Sequence, residues 1–328
     1  MIERIRFQNF RALRDAELPL GAFTLIVGPN GSGKSTALYA LDLLSGRIAA
    51  SYAEVVSAEA PAAETVTEVA LFAIDALPQG SSKFLWSQTQ SGRWVDENPG
   101  TPGTVYRLRE TRVYALDPRE ISAPVALQPV IALGKSGRGL AGVLDRLRDQ
   151  APERFEALND ELGRMLPEFD RILFETPTDG TRGLRLRTRN NGYSIPASSL
   201  SHGTLLALAI LTLAYEPSPP SLLGIEEPDR GIHPRLLRDV RDALYRLSFP
   251  ESFGEARPPV QVVATTHSPY FLDLFKDHPE QIVIAQREGM SASFRRLVDH
   301  PDLEDILADA PLGEVWYSGI LGGVPVGS

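Results

Sequence analysis

Residues 22–36 read "AFTLIVGPNGSGKST", and the fold turns on how this stretch is read. Its first six residues form a short apolar run broken only by Thr24, the signature of a buried strand. The next nine contain G-x-x-x-x-G-K-[ST], with Gly28, Gly33, Lys34 and Ser35 at the required spacing. Residues 37–48, "ALYALDLLSGRI", then take helical spacing. Strand, glycine-rich loop and helix in that order make a cradle for phosphate. The glycines let backbone N–H groups turn inward, and the helix N-terminus adds its positive end. The candidate nucleotide-binding residues are therefore Gly28, Pro29, Asn30, Gly31, Ser32, Gly33, Lys34, Ser35 and Thr36. Lys34 is assigned to bridge the β- and γ-phosphates of ATP, and the Ser35 hydroxyl to ligate Mg²⁺.

A phosphate loop needs an acid on a second strand. Residues 221–234, "SLLGIEEPDRGIHP", supply two. A carboxylate at the edge of an apolar run is costly unless a cation, metal or donor meets it. Successive strand residues point to opposite sides, so Glu226 and Glu227 hold different posts. Glu226 is assigned to the Mg²⁺ shell through water, and Glu227 to orienting or deprotonating the attacking water. Taken alone, the pair also reads as two solvated turn residues.

Two further stretches fit. In "VVATTHSP" (262–269), His267 follows a buried run, 40 residues after Glu227, where it can donate to the γ-phosphate. In "LSHGT" (200–204), Ser201 and Gly203 open a long apolar helix and form a second anion site at its N-terminus. The plainer reading of Ser201 is an ordinary helix cap.

The remaining sequence sets the frame. The 328 residues carry a net charge of −9, so nothing pulls the whole molecule toward nucleic acid. There is no cysteine, which excludes disulfides and thiolate metal sites. No run of about eighteen apolar residues is present, and "MIERIRFQNF" alternates like an edge strand rather than a signal peptide. A cytoplasmic protein without a membrane span is expected. "TVTEVALFAI", "KFLWSQTQ" and "TVYRLRETRVYAL", separated by breaks such as "ENPGTPG", predict an antiparallel meander between about 64 and 116. Leu140, Val143, Leu144 and Leu147 share one helix face; Phe155, Leu158, Leu162 and Met165 share another, with Pro152 opening the second helix. Strands are expected at 171–175 and 184–189, and an amphipathic helix over 234–247. The predicted layout is one α/β head spanning 1–328. A first lobe, 1–119, holds the loop and meander; 120–198 is a helical region with a β insert; 199–328 carries signature helix, acids and histidine.

In this order the motifs resemble the ATP-binding-cassette (ABC) ATPases, with "LSHGT" similar to a degenerate LSGGQ signature. "FQNFRAL", "IEEPDRGIHP" and "TTHSPYFLD" narrow the resemblance to the RecF/SMC-like branch, and within it to short-armed ATPases related to the overcoming-lysogenization-defect (OLD) proteins. "GRGLAGVLDRL" and "GEVWYSGILGGVP" resemble stand-alone members. The resemblance covers most of the chain, least of all 50–115. It implies a homodimer closing over two ATPs, with Ser201 and Gly203 of one copy meeting the γ-phosphate held by the other. It places Asp229 and His233 on the segment crossing the dimer interface, and Arg11 near the nucleotide of its own head. It does not place the glutamine loop, for which Gln79, Gln88, Gln90 and Gln128 are all candidates.

OLD-type proteins often carry a nuclease domain. About sixty residues follow His267 here, without an Asp-x-Asp, so the expected partner is a separately encoded nuclease or effector. Arg182, Arg185, Arg187 and Arg189 form the best basic patch, read either as a DNA-backbone contact or as a row of ion pairs. The leading expectation is a Mg²⁺-dependent ATPase that switches a DNA-acting or phage-defence effector. The alternatives are the ATP-binding subunit of a membrane transporter and a nucleotide-gated tether with negligible turnover.

Overall fold

The computed structural model describes residues 1–57, 66–74, 81–89, 92–97, 108–289 and 291–321. Among the described residues the strands, in chain order, are β1 (Ile2–Phe10), β2 (Leu13–Pro19), β3 (Phe23–Val27), β4 (Thr67–Ile74), β5 (Ser81–Thr89), β6 (Gly92–Glu97), β7 (Thr111–Tyr114), β8 (Val125–Ala126), β9 (Phe169–Glu175), β10 (Thr181–Thr188), β11 (Ser194–Pro196), β12 (Leu222–Glu226), β13 (Gln261–Thr266), β14 (Ile282–Glu288) and β15 (Ser291–Arg296). The chain divides into two compact units. The first comprises Met1–Val113, Pro220–Glu227 and Arg257–Ser328, and the second Tyr114–Pro219 and Pro228–Ala256.

The first unit holds two sheets. One has the order β15-β14-β3-β13-β12-β7, and the other β2-β1-β4-β5-β6. In the first sheet β14, β3, β13 and β12 run parallel, with β15 antiparallel to β14. All five residues of β3 are buried, as are all six of β13. Burial on both faces is why these strands read as unbroken apolar runs rather than alternating ones. A meander is present with a different third strand: β4, β5 and β6 pair antiparallel in sequence, whereas the third expected run ends in β7, which joins the other sheet beside β12. Between the sheets lies the main core, where Phe7, Phe10, Leu13, Leu38, Leu41 and Trp86 are all buried. Phe10 meets Trp86 edge-on at 6.2 Å.

One expectation is corrected here. β1 is not an edge strand, because it pairs with β2 on one side and β4 on the other. Its alternation records one buried face, with Ile2, Ile5 and Phe7 pointing into the core. Periodicity reports faces, not neighbours.

The second unit is helical with a small sheet of order β11-β10-β8, to which β9 adds along β10. The predicted helix pair forms as Leu140–Gln150 and Pro152–Met165, with Pro152 at the first turn of the second. The apolar helix His202–Tyr215 is buried from Thr204 onward. Leu237–Ser248 is amphipathic and packs its Val240, Leu244 and Leu247 inward.

Candidate functional site

Three neighbouring parallel strands, β3, β13 and β12, end side by side in the first unit, and the site is built on those ends. β3 stops at Val27, opposite Thr266 of β13, and Glu226 stands opposite Thr265. The loop from Gly28 fits tightly. A Cβ on Gly28 would fall 2.3 Å from the Ala285 carbonyl oxygen and 2.6 Å from Ser32 Oγ, so only glycine is accommodated. Gly33 has φ +92° and caps the helix Lys34–Leu44, a left-handed turn that other residues enter only with strain. Lys34 is buried at 6% exposure, and its Nζ donates to the carbonyls of Gly28 at 2.6 Å and Pro29 at 3.0 Å. Ser32 is buried too, and its Oγ has no hydrogen-bond partner among the described residues. A cradle closed to side chains, a folded-back lysine and an unpartnered hydroxyl fit a phosphate chain.

Ser35 Oγ donates directly to Glu226 Oε1. The two groups assigned to the metal are thus brought together from residues 191 apart in sequence. No cluster of three His, Asp or Glu side chains able to hold a metal occurs among the described residues. A hydroxyl and one carboxylate are an all-oxygen set suited to Mg²⁺, which completes its shell with phosphate and water.

Glu227 lies beyond the end of β12 with φ +44°, a left-handed backbone that is rare for a residue with a side chain. Its N–H donates to Thr265 Oγ1 at 3.2 Å, and its Oε1 lies 2.9 Å from His267 Nδ1. Against an ionised carboxylate the ring nitrogen is the donor. The Glu227 side chain is 20% exposed and that of His267 49%. The two predicted catalytic side chains are therefore in direct contact.

Arg11, another left-handed residue at φ +49°, donates from Nε to the Glu54 carbonyl at 2.8 Å. Its guanidinium sits 3.6 Å over the ring of Tyr39, a residue of the phosphate-loop helix. Two residues that motif reading missed also border the loop. A Cβ on Gly31 would lie 3.1 Å from an Arg287 nitrogen, and one on Gly33 would lie 3.0 Å from Leu13. Arg287 lies outside every motif and is brought near by the pairing of β14 with β3, whereas Leu13 ends the FQNFRAL stretch and reaches the loop from the other sheet.

In the second unit Ser201 caps its helix, accepting from the Thr204 N–H at 3.1 Å, while His202 is exposed. A Cβ on Gly203 would stand 3.0 Å from the Gly231 carbonyl oxygen, so the signature turn and the loop 228–233 touch through glycine. Asp229 is buried; the His233 ring accepts from the Arg235 N–H at 3.2 Å. The four arginines on and just after β10 are engaged internally. Arg182 pairs with Asp145, Arg185 with Glu175 and Arg187 with Asp170, and Arg189 donates to the carbonyls of Gly163, Pro167 and Phe169. The row of ion pairs is the reading with structural support. Of the glutamine-loop candidates, Gln88 lies within β5, Gln128 is exposed after β8, and Gln79 and Gln90 fall outside the described residues.

A family model described as "AAA domain, putative AbiEii toxin, Type IV TA system" matches residues 102–273, more than half of the chain. The chain belongs to that family. A second model, an AAA ATPase domain, matches residues 1–75 of this AAA-domain protein, so the phosphate loop and the acids each fall within a match. The OLD nuclease of Thermus scotoductus is 26% identical over 365 residues, covering 95% of the AAA-domain chain and 68% of the relative. Among solved structures, an SMC head bound to the C-winged helix domain of ScpA aligns with a TM-score of 0.63 at 16% identity, over 90% of this chain and 96% of that one. An SMC head with an extended coiled coil, bound to the C-terminal domain of ScpA from Pyrococcus furiosus, aligns at 0.59 and 15% identity, over 90% and 95%. The fold is that of an ABC-type head. The AAA-domain chain thus shares the fold of SMC heads and is similar to an OLD nuclease over most of its length. No helix among its described residues is long and apolar enough to cross a membrane.

Proposed function

We propose that the chain hydrolyses ATP with Mg²⁺, and that two copies close over two nucleotides to switch a DNA-acting or phage-defence effector. The observation that carries hydrolysis is the convergence of Ser35, Glu226, Glu227 and His267 at the ends of three adjacent strands. Lys34 Nζ exchanges its two loop carbonyls for phosphate oxygens, a short swing for a side chain already folded over the loop. Ser35 and Glu226 hold the Mg²⁺, which when bound neutralises phosphate charge. Glu227 takes the proton of the attacking water. His267 steadies that carboxylate through Nδ1–H, and its doubly protonated ring also donates from Nε2 toward the γ-phosphate side. The Ser201 and Gly203 turn completes the site of the other copy. The effector role follows the kinship with an OLD nuclease.

The test is molecular mass by light scattering of Glu227→Gln, with and without ATP and Mg²⁺, beside phosphate release by the wild type. A doubled mass for the variant and turnover by the wild type are the expected results. Absence of wild-type turnover overturns hydrolysis, and an unchanged mass overturns the trans arrangement of Ser201 and Gly203.

A further inference from the structure

β12 and β13 pair in register as far as Glu226 opposite Thr265, and there the ladder ends. The next donor along β12, the Glu227 N–H, is taken by a side chain instead: Thr265 Oγ1 accepts it at 3.2 Å. Thr265 is 1% exposed, so its hydroxyl is a fixed part of the sheet end. Its partner needs fixing. Glu227 is held at φ +44°, a conformation that a non-glycine residue keeps only when its surroundings impose it. Two residues further along, His267 meets the Glu227 carboxylate at 2.9 Å. Thr265 and His267 together hold Glu227 at both ends, backbone and carboxylate.

We propose that Thr265 is a positioning residue for hydrolysis, its hydroxyl locking the strained Glu227 backbone so that the carboxylate meets the attacking water. This rests on the hydrolytic reading above. Valine has the shape of threonine without the acceptor and leaves the Glu227 N–H without its partner. Serine keeps the acceptor and drops a methyl.

The experiment compares wild type, Thr265→Val, Thr265→Ser and Thr265→Ala as full chains. It reads phosphate release for kcat and KM, amide hydrogen exchange at Glu227, and thermal melting. The expected result for Thr265→Val is a kcat lower by about tenfold, the worth of one hydrogen bond, with KM within about twofold. Its Glu227 amide exchanges faster. Thr265→Ser restores kcat and protection, and Thr265→Ala behaves as the valine variant does. A valine variant with wild-type kcat overturns the proposal, as does a folded serine variant as slow as valine, since packing would then be the cause. If wild type releases no phosphate, hydrolysis is the reading that fails. Amide exchange then decides the contact separately: unchanged protection in the valine and alanine variants overturns it.

Discussion

Glu227 concentrates the chemistry of the site, and its backbone shows it: of the residues other than glycine, three among the described positions have a left-handed φ, and this is one. Replacing it with glutamine keeps shape and hydrogen bonding but removes the base. Turnover is expected to fall by about 100- to 10,000-fold, with binding of a fluorescent ATP analogue unchanged. Gly28→Ala acts the other way. A methyl 2.3 Å from the Ala285 carbonyl oxygen forces the loop apart, so nucleotide binding is lost and the melting temperature drops; binding and melting curves on one preparation check both. At this scale the motif residues were legible in the sequence, since each is fixed by local spacing. Thr265 and Arg287 were not. Their roles come from which strands lie side by side, and no local spacing encodes that.

At the scale of elements, β10 shows what decides between two readings of a basic row. Alternate strand residues share a side, which allows either a DNA face or a row of ion pairs, and the acids that neutralise these arginines come from other elements, including Asp145, Asp170 and Glu175. Arg187→Ala is expected to leave the urea unfolding midpoint nearly unchanged, as loss of an exposed ion pair does, and to leave DNA binding in a gel-shift assay unchanged. The long apolar helix ends at Glu216, and here burial dominates. Desolvation pushes the Glu216 carboxyl above the usual glutamate range, against the pull of the Arg146 guanidinium 3.4 Å away. With its folded pKa raised, the group favours the folded state fully below the ordinary glutamate pKa. That contribution is lost as pH rises through the raised value. Glu216→Gln is therefore expected to raise the melting temperature at pH 7 and to lose this advantage in acid, in melts run across that range. The helices and the first two strands of the meander were legible from periodicity. The interior place of β1 was not, because a one-sided strand alternates whether or not it has two neighbours.

For the whole molecule, binding at the loop should appear as stability. ATP with Mg²⁺ at a hundredfold excess over Kd stabilises a one-site protein by about 2.7 kcal/mol, so the melting temperature of the wild type is expected to rise with ligand while that of Lys34→Ala does not. The division into two units was not legible, because each unit is assembled from separate stretches that only the fold brings together. That division has a consequence for synthesis. The first unit is assembled from three separate stretches, with Pro220–Glu227 arriving between two stretches of the second. As the chain leaves the ribosome, β3 emerges early, but its two sheet neighbours, β13 and β14, come from beyond residue 260. Until they emerge, an uncharged strand with both edges open is exposed to the other growing chains of a polysome, the condition under which nascent proteins aggregate or are held by chaperones.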